Sequence, residues 1–145
     1  MARPIGRTGG AMVLPTTPLL QQVLDEYGLK YSIDADGDLI VRWEKCHMFF
    51  FHYGENNEVL QGRMYLSRRF PVEMRSTLAL ALDDWNRTRL FPKAYTVLPD
   101  DGMVGICAEQ VYDFERGATR DQIHYTVGLW IDTLLRFVEW VDEQV

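Results

Sequence analysis

The sequence predicts an α+β fold, a mainly antiparallel sheet of five to six strands with helices before, within and after it. Three observations support this prediction. Four strand-like runs follow one another between residues 30 and 66, two further runs lie between residues 94 and 112, and amphipathic helical segments stand before, between and after these groups. The connections within each group are of hairpin length, which makes neighbouring strands antiparallel and leaves the helices to pack on the sheet.

Residues 1–15 are rich in glycine and proline and show no hydrophobic periodicity, so we expect a flexible tail before a single domain over residues 16–145. The first helix is predicted to have Thr17 as its N-cap and Pro18 as its first residue, where the missing N–H costs nothing. Gly28 supplies its end. The apolar stripe of this helix consists of Leu19, Leu20, Val23, Leu24 and Tyr27.

Asp36-Gly37 lies between the first two strand-like runs and is typical of a hairpin turn. In the second run the residues Leu39, Val41 and Trp43 share one face. The third run is apolar or aromatic on both faces, which predicts a central strand covered on two sides. The four runs are residues 30–34, 38–45, 48–53 and 59–66.

Pro71 opens a middle helix that we expect to reach about residue 89. A second antiparallel pair, residues 94–98 and 103–112, follows it. Thr119 and Gln122 fit a capping box at the start of a long last helix. The predicted buried stripe of that helix is Ile123, Val127, Trp130, Ile131, Leu134, Val138 and Val141.

The net charge of −6 argues against a general nucleic-acid binder, which needs a basic footprint. The two cysteines, Cys46 and Cys107, lie in apolar strand-like segments, where reduced and buried thiols are usual. The apolar stretches are too short for a membrane span or a signal-peptide core. We therefore expect a cytoplasmic protein with neither a nucleic-acid nor a membrane partner.

Several motifs that could carry chemistry fail on spacing. In the stretch from Asp34 to Asp38 the glycine precedes the third acidic residue, so a hairpin turn is favoured over a calcium loop. Cys46 and His52 share a strand face but lie about 20 Å apart, while His47 points to the other face. We find no nucleophile elbow and no phosphate-binding loop. The sequence thus predicts no catalytic residue, no metal and no cofactor.

Two surfaces are candidates for binding a protein. Tyr125, Leu129 and Trp140 form an apolar flank of the last helix outside its buried stripe, and Leu80 stands outside the stripe of the middle helix. These residues could equally be additional core contacts. The second candidate is the arginine-rich stretch of residues 63–93, in which Arg68, Arg69 and Arg75 could face an acidic partner or belong to an ordinary solvated surface.

Residues at helix ends and turns carry a family resemblance. The chain resembles the YbjN-type family of bacterial sensory-transduction regulators at these motifs: Gly37-Asp38-Leu39 with Trp43, Trp85-Asn86-Arg87, Phe91-Pro92-Lys93-Ala94-Tyr95, Asp101-Gly102, Ala108-Glu109 and the segment from Gly117 to Gln122. The resemblance covers about residues 17–142 and implies a fold similar to type III secretion chaperones, often dimeric, that binds proteins and has no catalytic residues to transfer. If both first strand-like runs are paired, the extra strand departs from the simplest chaperone pattern and puts a secretion role in doubt.

The function expected from these observations is that of a non-catalytic protein-binding domain, chaperone-like or regulatory, with an unidentified protein partner and a homodimeric state. The alternative is a small-molecule-binding or weakly catalytic domain. Its pocket would lie between the helices and an aromatic sheet that includes Trp43, Phe49 and Phe51.

Overall fold

A computed structural model describes residues 10–99 and 101–145. It has three α-helices and six strands in the predicted order. The helices are α1 (Thr17–Glu26), α2 (Arg75–Thr88) and α3 (Arg120–Gln144), with a short 3₁₀ turn, Val72–Met74, before α2. The strands are β1 (Ser32–Ile33), β2 (Leu39–Arg42), β3 (Cys46–Tyr53), β4 (Val59–Leu66), β5 (Lys93–Val97) and β6 (Gly105–Asp113).

The strands form one fully antiparallel sheet in the order β1-β2-β3-β4-β6-β5. The α+β prediction is therefore confirmed, with six strands. Both β1 and β2 are paired, so the additional strand that departs from the simplest chaperone pattern is present. Asp34 makes the turn between them: its side-chain Oδ1 accepts the backbone N–H groups of Asp36 and Asp38, both at 2.9 Å.

All three helices contribute to one hydrophobic core on one face of the sheet, which we call the inner face. From α1 and α2 the core includes Leu20, Leu24, Leu78 and Leu82. The predicted stripe of α3 is buried as expected, and the Thr119–Gln122 capping box is formed. α3 packs closely over β4 at Gly62, where a Cβ would lie 2.5 Å from Cε of Met48 and 3.0 Å from Cε3 of Trp130.

The start of the domain differs from the prediction in two ways. The N-cap of α1 is Thr16, whose hydroxyl accepts the N–H of Leu19, and Thr17 is already helical. The predicted tail boundary at residue 15 is also too late, because Val13 forms a two-way backbone bridge with Ala118 at 2.8 and 3.0 Å. The rest of the predicted tail, residues 1–9, lies outside the described residues.

No helix in the described parts of the chain combines the length and the apolar character needed to cross a membrane.

Candidate protein-binding surface

The opposite face of the sheet, which we call the outer face, is not covered by any helix of residues 10–99 and 101–145. Strand register assigns residues to it, because residues paired directly across an antiparallel ladder lie on the same face. The pairs Phe49–Arg63, Arg63–Glu109 and Lys93–Glu109 place these side chains on the outer face from β3 to β5. Ile40 and Cys107 are also buried there, and neither belongs to the core under the helices.

Aromatic side chains occupy the β3–β4 half of the outer face. Phe49 and Phe51 stack with ring centroids 5.2 Å apart, and His47 stacks on Tyr65 at 5.6 Å. The guanidinium of Arg63 lies over the ring of Phe51 at 5.1 Å. These aromatic rings are only half-buried, whereas the solvent face of an antiparallel sheet normally carries polar residues. This half of the sheet therefore presents a partly exposed aromatic surface.

A buried carboxylate organises the other half of the outer face. Glu109 accepts hydrogen bonds from Gln61 at 2.6 Å and Tyr95 at 3.0 Å, and it pairs with Lys93 at 2.8 Å. Burial opposes ionisation of Glu109, but the hydrogen bonds from Lys93 and Tyr95 and the charge of Arg63 hold the pKa of its carboxyl below the ordinary value. Glu109 is therefore ionised at neutral pH and keeps the cations in fixed positions.

The outer face carries more positive than negative charge. Arg42, Arg63 and Lys93 stand against the carboxylates of Glu109 and Asp113. Asp113 lies at the far end of β6, and its carboxylate accepts a hydrogen bond from the backbone N–H of Glu115 in the loop that follows. This face is thus an aromatic and basic surface on a chain whose net charge is −6.

Arg69 stands at the Leu66 end of this face, beside a cavity of about 240 Å³. It forms an ion pair with Asp101 at 2.9 Å. The cavity is lined by Tyr65, Leu66, Arg69, Val97, Leu98, Pro99, Gly105 and Ile106.

Burial, together with the charges of Arg42 and Arg69, lowers the pKa of His47, so its ring is neutral at physiological pH.

The predicted apolar flank of α3 divides into a free part and a packed part. Tyr125 is 68% exposed and Leu129 is half-buried. Trp140 instead packs on Trp85 of α2 at 5.0 Å between ring centroids, and it forms part of the rim of the core. Leu80 is 73% exposed on α2. Of the flank, only Tyr125 and Leu129 remain available to a partner.

The predicted basic stretch does not form one surface. Arg63 and Lys93 belong to the outer face, and Arg68 lies over the ring of Phe70 at 4.5 Å. Arg75 is exposed on α2, while Arg89 covers Trp85 at 4.5 Å. The proposed acidic-partner site around Arg68, Arg69 and Arg75 is therefore split between different parts of the molecule.

The sequence did not identify the outer face as a surface. β3 has apolar and aromatic residues on both sides, and this pattern predicted a central strand covered on both sides. The strand is central, but the described helices cover only one of its faces. The alternation of residue types in β4 was the better signal: Gln61, Arg63 and Tyr65 carry polar groups and alternate with apolar Leu60 and Met64, as in a strand with two unlike faces.

The proposed pocket between the aromatic sheet and the helices is also not formed as predicted. Phe49 and Phe51 point away from the helices. The inner face is filled by fully buried side chains such as Met48 and Phe50.

The cysteines and histidines are held in structural positions. Cys46 and Cys107 are buried, and burial raises the pKa of each thiol to about 11. His52 shares the inner side with Cys46, as predicted, and its ring nitrogen lies 2.6 Å from the carbonyl oxygen of Pro15. A thiol with this pKa is protonated near neutral pH and is a poor nucleophile.

Comparison with known structures finds solved proteins with a similar fold. The crystal structure of YbjN from E. coli, called a putative transcription regulator, superposes with a TM-score of 0.76 over 92% of this chain and 96% of that chain, at 16% identity. An uncharacterized protein from Methanothermobacter thermautotrophicus gives a TM-score of 0.55 over 88% and 96%, at 12% identity. At these identities the likeness shows the fold alone.

Comparison with curated proteins finds no match. The family model of YbjN, described as "Putative bacterial sensory transduction regulator", matches residues 18–143, nearly the whole domain. Together with the shared architecture, this match shows that the chain belongs to the YbjN family.

Proposed function

We propose that this chain is a non-catalytic regulator that binds a protein partner through the outer face of its sheet and acts as a homodimer. The observation that carries the proposal is the half-exposed aromatic surface of β3 and β4, bordered by fixed cations. Exposed aromatic residues and arginines are the residue types most enriched at protein interfaces. A regulatory role agrees with the description of the family.

The charge of the outer face favours an acidic partner. Arg42, Arg63 and Lys93 would meet like charges if two copies packed face to face, so we do not assign the homodimer contact to this surface. A single-stranded nucleic acid could also stack on aromatic rings, but its phosphates would be repelled by the rest of a chain with a net charge of −6. We therefore assign the outer face to an extended protein segment that contains both acidic and apolar side chains.

Site-specific photo-crosslinking in the native cell tests this assignment. A benzophenone amino acid at Phe49 should crosslink to a discrete protein through an acidic segment, and the same group at exposed Leu80 on α2 should not. Equal crosslinking at both positions, or crosslinks to nucleic acid at Phe49, would overturn the proposal.

A matched pair of charge reversals tests the role of the cations. Arg42→Glu on the outer face should lower the crosslinking yield at Phe49 severalfold, because it places a negative charge beside the acidic segment. Arg75→Glu on exposed α2 makes the same change in net charge away from the face and should leave the yield unchanged. If the two variants behave alike, general electrostatics and not this face controls binding.

A further inference from the structure

A cavity lies between α3 and the chain that leaves the end of α2, and it shares no residue with the outer face. Its volume is about 330 Å³, which is at the lower end of the range of small-molecule sites, about 300–1,000 Å³. Its two arginines belong neither to the core nor to the outer face. The cavity is lined by Trp85, Arg89, Phe91, Thr133, Arg136 and Trp140.

Three of these side chains follow one stripe of α3. Thr133, Arg136 and Trp140 are three and four positions apart, a spacing that places them on the same side of a helix. The hydroxyl of Thr133 accepts a hydrogen bond from Gln110 at 2.5 Å and donates to the backbone carbonyl of Trp130 at 3.1 Å. Thr133 is therefore engaged within the protein, which leaves Arg136 as the polar group of this wall.

Aromatic rings form the apolar part of the cavity, and the protein holds two of them in place. Trp85 packs on Trp140 at 5.0 Å and on Phe137 at 4.9 Å between ring centroids. Its indole N–H donates to the C=O of Pro92 at 2.9 Å, which fixes the ring. Phe91, the residue before this proline, is 43% exposed. A ligand would therefore meet a preorganised aromatic floor and one accessible ring, which lowers the entropic cost of binding.

Arg89 supplies a guanidinium whose donors are mostly unused. It lies over the ring of Trp85 at 4.5 Å, and the ring centroid of Trp140 is 5.8 Å away. One of its N–H groups donates to the hydroxyl of Thr88 at 2.9 Å. No carboxylate of residues 10–99 and 101–145 forms an ion pair with it. Because a guanidinium has more N–H donors than this one bond uses, and because stacking leaves its edge free, Arg89 can still bind an anion.

Arg136 supplies a second guanidinium from the α3 wall. Its Nε lies 3.1 Å from the carboxylate of Asp132, and both side chains are exposed. That contact occupies Nε and leaves the terminal nitrogens of Arg136 free. The lining contains two arginines and no acidic residue, so even with Asp132 beside it the cavity carries a net positive charge. The planar fork of a guanidinium matches a carboxylate.

We propose that this cavity binds a small organic anion with a planar apolar body, such as an aromatic carboxylate. Its ring would contact Phe91 and Trp140, and its carboxylate would accept hydrogen bonds from Arg89 and Arg136. The cavity has room for one ring and one acidic group, whereas an extended protein segment needs a longer groove. A cationic ligand would be repelled by both arginines. This ligand site is independent of the partner assigned to the outer face and of the homodimer.

NMR titration of the full chain with naphthoate tests the site, because the four tryptophans report on it selectively. The indole N–H signals of Trp85 and Trp140 should shift, whereas those of Trp43 and Trp130, which do not line the cavity, should stay in place. We expect a Kd of about 1 mM or tighter, which is typical of about a dozen well-placed heavy atoms. Naphthalenemethanol, which is neutral, should bind severalfold more weakly, and the cation naphthylmethylamine should not bind measurably.

Charge-removing variants test the two arginines. Arg89→Gln and Arg136→Gln should each weaken naphthoate binding severalfold, and the double variant should abolish it. Arg75→Gln, on an exposed part of α2 outside the cavity, should leave the Kd unchanged. The same spectra show whether each variant is folded. If Arg89→Gln disturbs the packing of Trp85, the exposed Arg136→Gln still decides.

Four results would each overturn the ligand site: no shift of the Trp85 and Trp140 signals, equal shifts of all four indoles, equal binding of naphthylmethylamine, or an unchanged Kd in Arg136→Gln. Photo-crosslinking in the native cell separates a small ligand from a macromolecule. A benzophenone amino acid at Leu90, which is 95% exposed between two lining residues, should give no crosslink to a protein. A crosslink to a discrete protein would assign the cavity to a side chain of that protein and refute the small-molecule site.

Discussion

The side chain of Asn86 pairs with both backbone groups of Ala94, accepting its N–H at 3.0 Å and donating to its C=O at 2.8 Å. Asn86 lies in the last turn of α2 and Ala94 in β5, so one amide fastens the helix to the edge strand as a neighbouring strand would. Trp85 adds a second link, since its indole N–H donates to the C=O of Pro92 at 2.9 Å.

Asn86→Ala should therefore destabilise the domain by about 1–3 kcal/mol, because it leaves two partly buried backbone groups of Ala94 without their partner. Asn86→Asp keeps the acceptor but loses the donor and should also destabilise. Urea unfolding measures both variants. Arg87→Ala removes an exposed ion pair with Asp84 and serves as the control, with an expected effect below about 1 kcal/mol. An Asn86→Ala variant as stable as this control would refute the role of the amide.

The position of the α1 cap can be tested with two adjacent threonines. Thr16→Ala should cost about 1 kcal/mol, because the hydroxyl that accepts the N–H of Leu19 is lost. Thr17→Ala should be close to neutral or stabilising, since Thr17 lies inside the helix, where alanine is the better helix former. Thermal or urea unfolding of the two variants decides between them. If Thr17→Ala proved less stable than Thr16→Ala, Thr17 would be the N-cap of α1.

Ionised Glu109 should make the free energy of unfolding of the domain depend on pH in the acid range. Its pKa in the folded protein is below the unfolded value of about 4.5, so its contribution is complete above that value and is lost as pH falls through the folded pKa. The stability difference between the parent chain and Glu109→Gln should therefore be largest near neutral pH and shrink below about pH 4.5. Urea unfolding as a function of pH measures it.

Glu73→Gln provides the control for this titration, because Glu73 is exposed near the start of α2. Removing this exposed carboxylate should change the stability by less than about 0.5 kcal/mol. A Glu109→Gln variant whose stability difference from the parent chain does not change with pH would mean that the carboxylate is not held in its ionised form by Lys93 and Tyr95.

Trp140 should prove to be a stability residue more than a binding residue. Trp140→Ala removes a ring that packs on Trp85 and Phe137, and it should cost about 3 kcal/mol. Leu80→Ala removes a largely exposed side chain and should change the stability by less than about 0.5 kcal/mol. Denaturant unfolding gives both values. If Trp140→Ala is as mild as Leu80→Ala, Trp140 returns to the set of partner-binding candidates.

Features that depend on near neighbours in the chain could be predicted from the sequence. The order of helices and strands, the Asp36-Gly37 hairpin, the Thr119–Gln122 capping box and the buried stripe of α3 are all confirmed. Each rests on periodicity or on a hydrogen bond between residues a few positions apart. The one-residue error at Thr17 has the same origin, because two adjacent threonines offer the same local chemistry.

The tertiary structure alone decided which of the apolar surfaces are covered. The pattern of β3 is apolar on both sides, but the three helices of the described residues all pack on one of them. Phe49 lies on the other face beside Arg63, a residue fourteen positions away that strand pairing brings opposite. The flank of α3 shows the same limit, since Trp140 is covered by α2 while Tyr125 is not. The local sequence pattern shows only that a residue is apolar. Only the packing of distant elements determines whether it belongs to the core or to a surface that a partner can bind.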